Sequence, residues 1–456
     1  MRILIVGAGT VGFGLAQELS DENHDVWLVD SQKKVLNRHE AENYSTIHGN
    51  IFLSKVQKNI DIASMNMVIA VTESDATNIL VCEIAKELNV PIKIARTKNP
   101  DFELDGYPLS CVNLGVDKII NTDQLTIITL DRLVRVASST SVTTFKDSDI
   151  VLRGFFVPED SKFVNNTIAK IGAGISDYSF LILAISREQK MIIPRGDVVI
   201  NAGDEIFVLM QKDIVEFFLP LLYKKVKKIK HVLIFGASKI GIGLAKILSN
   251  SIPRIFIVDS DIEKCELASN EATKATVVCS DITSEEFQDE LDLDTVDVFV
   301  ATSNNDEKNF IASLMMKNKM SKHSRTLVVS NREEYDSLIP KVGLGESINP
   351  RLIAVSEILS HISKEDVLSI AKFNYGDAEA FEIVIPEKSA ALKKTLKDLK
   401  IPLDAIVGTV TRDDEVIIPN GATVFQPNDK VILFTINNSR LKAQEIFESK
   451  KKWYAK

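Results

Sequence analysis

The 456-residue chain carries 63 acidic and 54 basic residues, a net charge of −9, with 45 % hydrophobic and 26 % charged residues. Its length and composition fit a globular protein of about three domains, and the acidic balance argues against nucleic acid or anionic lipid as a direct partner, since both need a basic face. No apolar run reaches the roughly 18 residues of a membrane-spanning helix, and the first residues read as a strand with no signal-peptide pattern, so neither a span nor a leader is expected.

Arg2 to Val6 is a short, β-branched apolar run that stops at Gly7. Gly9 and Gly12 follow at G-x-G-x-x-G spacing, and a helical pattern starts at once with Val11, Leu15, Ala16 and Leu19. Gly7 permits a tight strand-to-helix turn, Gly9 lets a pyrophosphate approach the backbone, and Gly12 lets helix and strand pack closely. The phosphates would sit on free N–H groups at the positive end of the helix. A second strand, Val26 to Val29, ends in Asp30, close to where an acidic residue takes the ribose hydroxyls. A carboxylate there accepts from a 2′,3′-diol and repels a 2′-phosphate.

A helix is expected from about Gln32 to Glu42, then a strand from Tyr44 to Ile47. A fourth strand, Met67 to Val71, runs into Thr72-Glu73-Ser74-Asp75-Ala76-Thr77-Asn78. Thr72 falls at the carboxyl end, where such sheets bind ligands, and Asp75 or Thr77 is expected to cap a helix from about Asn78 to Leu88. The fifth strand, Ile92 to Arg96, places an arginine at the same crevice, suited to neutralising phosphate. A sixth strand near Lys118 to Ile120 leads to a helix from about Thr122 to Val136. Alternation of strand and helix predicts one open, doubly wound parallel sheet. From Ser138 to Val215 the pattern changes to short β runs with turn residues, a small α+β domain without an evident catalytic cluster.

The chain then repeats. Gly7 maps to Gly236 and Asp30 to Asp259, and the glycine turn becomes Gly236-Ala237-Ser238-Lys239-Ile240-Gly241. Ala70-Val71-Thr72 reads as Val300-Ala301-Thr302, Asn78 as Asn309, Ile120-Asn121 as Ile348-Asn349, Ile192 to Gly196 as Ile417 to Gly421, and Asp204 as Asp429. The expected order is A-B-A′-B′, with Rossmann-like domains at 1–137 and 229–365 and small α+β domains at 138–222 and 366–456. The join near Tyr223 to Lys228 reads as a basic, helical, solvated connector. The repeats differ: Ser238 replaces the middle glycine and would crowd a pyrophosphate, with Lys239 as a compensating charge. Ser330-Asn331-Arg332 offers an arginine only in a shifted place, and Asp281 stands where the first unit has Asn50. The second site is therefore expected to be weaker, altered or empty. Cys82, Cys111, Cys265 and Cys279 include no C-x-x-C, and the six histidines show no zinc spacing or triad, so free thiols and no metal are expected.

In this order these residues resemble the RCK/KTN regulators of potassium transport, most closely the peripheral nucleotide-binding subunits of bacterial Trk uptake systems. The stretch Ala70 to Asn78 followed by Ile94-Ala95-Arg96 carries the likeness, with Ile193 to Asp197 and Ala202-Gly203-Asp204 resembling the family's C-terminal domain. The resemblance implies a site at Gly7, Ala8, Gly9, Thr10, Val11, Asp30, Thr72, Glu73 and Arg96 for NAD(H) or ATP/ADP. It implies a second at Gly236, Ala237, Ser238, Lys239, Ile240 and Asp259. It further implies no catalysis, a homotetrameric ring, and a cytoplasmic position beneath a potassium-transporting integral membrane subunit. In such families the helix after the fifth or sixth strand crosses to a neighbouring unit, for which Thr122 to Val136 and Pro350 to Ile362 are the candidates. An NAD-dependent oxidoreductase and a nucleotide sensor of another transporter are the alternatives.

Overall fold

In the computed structural model, all residues are described except 22, 37–42, 105–109, 111–112, 136–138, 146–147, 174–179, 189, 225–227, 285–286, 288–290, 322–323, 363–366, 373–377, 414, 438 and 448–456. Cys111, the far end of the helix expected from Gln32 to Glu42, and the middle of the basic join lie outside the described residues. The chain divides into two compact units, Met1–Ile127 with Asn349–Leu359, and Ile128–Ile348 with Ser360–Lys456.

The first unit is built on a six-stranded parallel sheet, β1 (Arg2–Val6), β2 (Asp25–Asp30), β3 (Ser45–His48), β4 (Met67–Ala70), β5 (Ile92–Thr97) and β6 (Lys118–Asn121), ordered β3-β2-β1-β4-β5-β6. This is the doubly wound order, with its reversal between β1 and β4, where such sheets open a crevice at their carboxyl ends. Ile3 to Ile5 and Met67 to Ala70 are buried without alternation, as expected of central strands covered on both faces. The helix Thr10–Asp21 buries the expected stripe, Val11, Leu15, Ala16 and Leu19. The helix after β4 starts earlier than expected, at Asp75, and its cap is Ser74, whose Oγ accepts from Thr77 N at 3.2 Å. Asp75 instead accepts from Lys98 N and Asn99 N, at 3.0 and 3.1 Å, and so fastens the turn after β5.

The first unit also holds most of the helix Pro350–Ile362. Its Val355 lies against Gly14, where an added Cβ would meet it at 3.7 Å, and Glu357 pairs with Lys118 at 3.8 Å. The helix that follows β6, Thr122–Arg135, continues into the second unit. There Arg135 donates to Ser251 Oγ at 2.6 Å, and Leu133 O accepts from Arg325 at 2.7 Å. Both candidate crossover helices therefore serve the repeat to which they do not belong in sequence. Asn121 and Asn349 start them alike, accepting from Gln124 N and Arg351 N, each at 3.0 Å.

The second unit contains the repeated parallel sheet, β12 (His231–Phe235), β13 (Arg254–Asp259), β14 (Thr276–Cys279), β15 (Val298–Ala301), β16 (Arg325–Val329) and β17 (Glu346–Ile348), in the order β14-β13-β12-β15-β16-β17. It also contains two five-stranded antiparallel sheets. One runs β10 (Lys190–Ile192), β9 (Phe180–Arg187), β11 (Glu205–Gln211), β8 (Ile150–Phe156), β7 (Ser139–Thr144). The other runs β18 (Val367–Lys372), β19 (Glu379–Val384), β22 (Lys430–Thr435), β20 (Ala405–Arg412), β21 (Glu415–Ile417).

The two antiparallel sheets share one core, which draws Leu152, Leu183, Phe207 and Leu209 from one repeat and Ala380, Ile432 and Phe434 from the other. Gly408 marks the closest approach, since a Cβ there would lie 2.7 Å from Leu209 Cδ2. The aspartates matched by sequence have the same task in each repeat. Arg187 forks onto Asp204, and Arg412 onto Asp429, with both pairs of bonds at 2.8 Å. The described residues of the join are not helical: the preceding helix ends at Leu222, and Tyr223 is extended. Among the described residues no helix is long and apolar enough to cross a membrane, and no group of three or more His, Cys, Asp or Glu is placed to hold a metal.

Candidate functional site: two unequal crevices

At the first crevice the three glycines meet three different demands. Gly7 adopts φ +108°, and a Cβ there would lie 2.9 Å from Thr72 N. A Cβ on Gly12 would fall 1.8 Å from Gly7 O, so the helix crosses the turn at a distance only glycine allows. Gly9 has nothing within 4 Å of where a Cβ would stand, so it opens onto free space. Strain and packing explain Gly7 and Gly12. The bareness of Gly9 suits close approach by a ligand.

Asp30 is tied to this turn. Its carboxylate accepts from Ala8 N at 2.8 Å and from Gln32 N at 2.7 Å, which sets both oxygens at the rim of the crevice. A carboxylate has about four lone-pair positions, so acceptor capacity remains for a sugar diol. Ala8 and Val11 are buried, whereas Thr10 is exposed at the first turn of the helix. Val11 is thus a core residue whose backbone, not its side chain, can face a phosphate.

Across the crevice, Asn78 joins the ends of β4 and β5. It is fully buried, its Oδ1 accepts from Thr72 N at 2.9 Å and Thr72 Oγ1 at 2.6 Å, and its Nδ2 donates to Thr72 O at 3.0 Å and Arg96 O at 2.8 Å. Sequence reasoning aligned Asn78 with Asn309 but gave it no role; its retention in both repeats was the available signal. Arg96 is half-buried, and its Nε is buried with no hydrogen-bond partner among the described residues. A desolvated guanidinium N–H without an acceptor is costly, and an anionic oxygen satisfies it. Glu73 is exposed on the turn after β4. The residues present therefore fit a ligand with a ribose diol and phosphates.

The second crevice keeps the frame and changes the contacts. Gly236 has φ +98°, and Asp259 accepts from Ala237 N at 2.9 Å and Asp261 N at 3.0 Å. The ladder pairs Val6 with Ala70 and Phe235 with Ala301, so the counterpart of Thr72 is Ser303, one residue beyond the Thr302 expected from sequence. Ser303 makes the matching bonds to Asn309, which also donates to Val329 O at 2.9 Å. Thr302 instead turns its hydroxyl onto Phe235 O and Gly236 O.

Ser238 has a structural role: its Oγ accepts from Gly241 N at 3.1 Å and caps the helix Lys239–Leu248. It thereby takes one of the N–H donors a phosphate would use. Lys239 is exposed and Ile240 half-buried. The position of Arg96 is held by Val329, because β4 and β15 pair with β5 and β16 in matching register. Arg332 is turned out, paired with Glu307 at 2.9 Å. Asp281 and Asn50 do the same local work, accepting from Thr283 N and Phe52 N two residues on.

The sequence matches the TrkA-N domain over residues 3–122 and 232–350, and the TrkA-C domain over 152–222 and 380–448. It is 27 % identical over 444 residues to the Trk system potassium uptake protein TrkA of Vibrio alginolyticus, spanning 96 % of each chain. It is 30 % identical over 447 residues to the TrkA homolog of Archaeoglobus fulgidus, spanning 98 % of this chain and all of the relative. Among solved structures, the GsuK RCK domain has a TM-score of 0.61 at 18 % identity, covering 98 % of this chain and 94 % of that one. The GsuK channel bound to NAD also has a TM-score of 0.61 at 18 % identity, covering 98 % and 78 %. With the TrkA-N and TrkA-C pair matched twice, and whole-length likeness to TrkA proteins, the chain belongs to the TrkA family.

Proposed function

We propose that the chain is the cytoplasmic, nucleotide-responsive regulatory subunit of a Trk-type potassium-uptake system, without catalytic activity of its own. It acts as a homotetramer or similar ring docked to a potassium-transporting integral membrane subunit. The observation that carries the reading is the first unit's strand-end region, with the open backbone at Gly9, the carboxylate of Asp30 bound to the glycine turn, and Arg96 Nε, at the end of β5, buried with no acceptor among the described residues. NAD(H) and ATP/ADP both fit, since each presents an unphosphorylated ribose to Asp30 and phosphates to Gly7 to Val11, with Thr72, Glu73 and Arg96 on the opposite wall. The names of the TrkA relatives supply the potassium system, and the GsuK channel bound to NAD supplies a nucleotide on the same fold.

Binding does work only through differential affinity for two shapes. Moving an equilibrium from 1:99 to 99:1 takes about 5.5 kcal/mol, and a tenfold preference at one site supplies about 1.4 kcal/mol. Four first-type sites in a ring reach that total, and one alone does not.

The test uses Gly9→Ala. Its Cβ meets nothing within 4 Å in the protein, so the melting temperature is expected to stay unchanged. Affinity for NADH or ATP by calorimetry should fall about tenfold or more, and potassium uptake in cells supplied with the membrane subunit should lose its response to nucleotide. Asp30→Ala should do the same with some loss of stability, since it also frees Ala8 N and Gln32 N. Unchanged affinity in both variants would remove the basis for the proposal.

A further inference from the structure

We propose that Cys265 and Cys279 form a redox-modifiable dithiol beside the second crevice, closing to an intramolecular disulfide by exchange with a small-molecule disulfide. Cys265 lies in the first turn of the helix Ile262–Glu271, buried, with its Sγ donating to Asp259 O at 3.3 Å. Cys279 is the last residue of β14, exposed, and its Cα is paired in the ladder with that of Asp259. The Cys279 side chain lies near enough to Cys265 to push the pKa of its thiol up. Asp259, the rim carboxylate of the crevice, thus has one sulfur on its carbonyl and the other on its neighbouring strand.

The fold does not require sulfur at either place. By the same repeat offset and register, the first unit carries Leu36 and His48 there. Cys82 is the contrast: it sits in the first unit's core, donates weakly to Ile94 O at 3.6 Å, and its thiol is pushed up to about 12 by burial. What sets Cys82 apart is that its core cluster holds, among the described residues, no second cysteine with which to exchange.

The chemistry balances as thiol–disulfide exchange. The exposed Cys279 thiolate attacks one sulfur of a disulfide RSSR, forming a Cys279–S–S–R mixed disulfide and releasing RS⁻. Cys265 then loses its proton and attacks the Cys279 sulfur, closing the internal bond and expelling the second RS⁻. Two protein thiols are oxidised and one RSSR is reduced to two RSH. Burial first, and the neighbouring Cys279 thiol after it, push the Cys265 thiol up to about 12. Closure withdraws the S–H donor from Asp259 O, leaving Ser280 N at 3.0 Å. It also clamps the helix's first turn to β14, on either side of the residue that holds Ala237 N and Asp261 N.

The full chain is incubated with oxidised glutathione, trapped with an alkylating reagent, digested and mapped by mass spectrometry. The expected product is a linked pair of peptides carrying Cys265 and Cys279, reversed by dithiothreitol. Cys265→Ser should instead accumulate a stable glutathione adduct on Cys279, and Cys279→Ser should form neither. Amide hydrogen exchange at Ala237 and Asp261 should change several-fold on oxidation of the wild type and not in either variant. Thiols that stay free, a glutathione adduct that persists on wild-type Cys279, or a bond to Cys111 would each overturn the proposal. Unchanged exchange at both amides in the closed form would overturn its link to the crevice.

Discussion

Two residue differences separate crevices that share a backbone. Where the first has the bare Gly9, the second has Ser238, whose hydroxyl already occupies Gly241 N. Where the first has Arg96 with an unsatisfied Nε, the second has buried Val329. If the first crevice takes a phosphate as proposed, each change would remove a contribution to its binding, one a hydrogen-bond donor and the other a charge. Ser238→Gly is therefore expected to release Gly241 N at a cost of only a few tenths of a kcal/mol in helix capping. Titrating ADP into an Asp30→Ala background, which reports the second crevice, should show tighter binding after Ser238→Gly than before. Equal or weaker binding would show that the serine is not the obstacle.

The elements around each crevice are held by single buried side chains. Asn78 and Asn309 each bind two strand ends through four hydrogen bonds. Asn78→Ala leaves Thr72 N and Arg96 O without these partners, which costs about 1–3 kcal/mol per buried group left unsatisfied. It should lower the denaturation midpoint and also weaken nucleotide binding, because Thr72 and Arg96 both move with the latch. A variant that loses stability while keeping full affinity would separate the latch from the site. The Arg187–Asp204 and Arg412–Asp429 forks play the corresponding part in the small domains, where the second carboxylate oxygen also accepts from Asn201 N or Gln426 N.

At the scale of the whole molecule, the second unit fastens four of its elements through buried charge. Arg325 of β16 pairs with Glu346 of β17 at 3.1 Å and donates to Leu133 O and Ser139 O. Nearby, Glu205 of β11 is bound by the Thr140 hydroxyl, and its carboxyl is pushed up from 4.5 to about 7, by burial first and by the charge of Glu346 after it. Between those values the folded chain holds a proton that the unfolded chain has released. The stability tied to it is complete below about pH 4.5 and is lost as pH rises through about 7. A shift of that size corresponds to about 3 kcal/mol at most. Glu205→Gln should flatten the dependence of the urea midpoint on pH between 5 and 7.5, and a variant as pH-dependent as wild type would contradict the assignment.

The sequence by itself determined the parallel sheets, the repeat, the glycine turns and their rim acids. These depend on local chemistry: apolar runs, fixed glycine spacings and an acid at a strand end are legible one segment at a time. It also marked Ser238 as the odd residue in its turn. Only the tertiary structure decided what depends on register and on partners distant in the chain. The counterpart of Thr72 proved to be Ser303, and that of Arg96 proved to be Val329, because a ladder counts residues from its paired neighbour and insertions of one or two residues are invisible in motif matching. Asp75 was expected to cap a helix and instead fastens the turn after β5, since a carboxylate takes whichever N–H groups folding brings to it. The shared core of the two small domains and the thiol pair beside Asp259 were hidden for the same reason: each joins side chains whose meeting is set by packing, not by spacing along the chain.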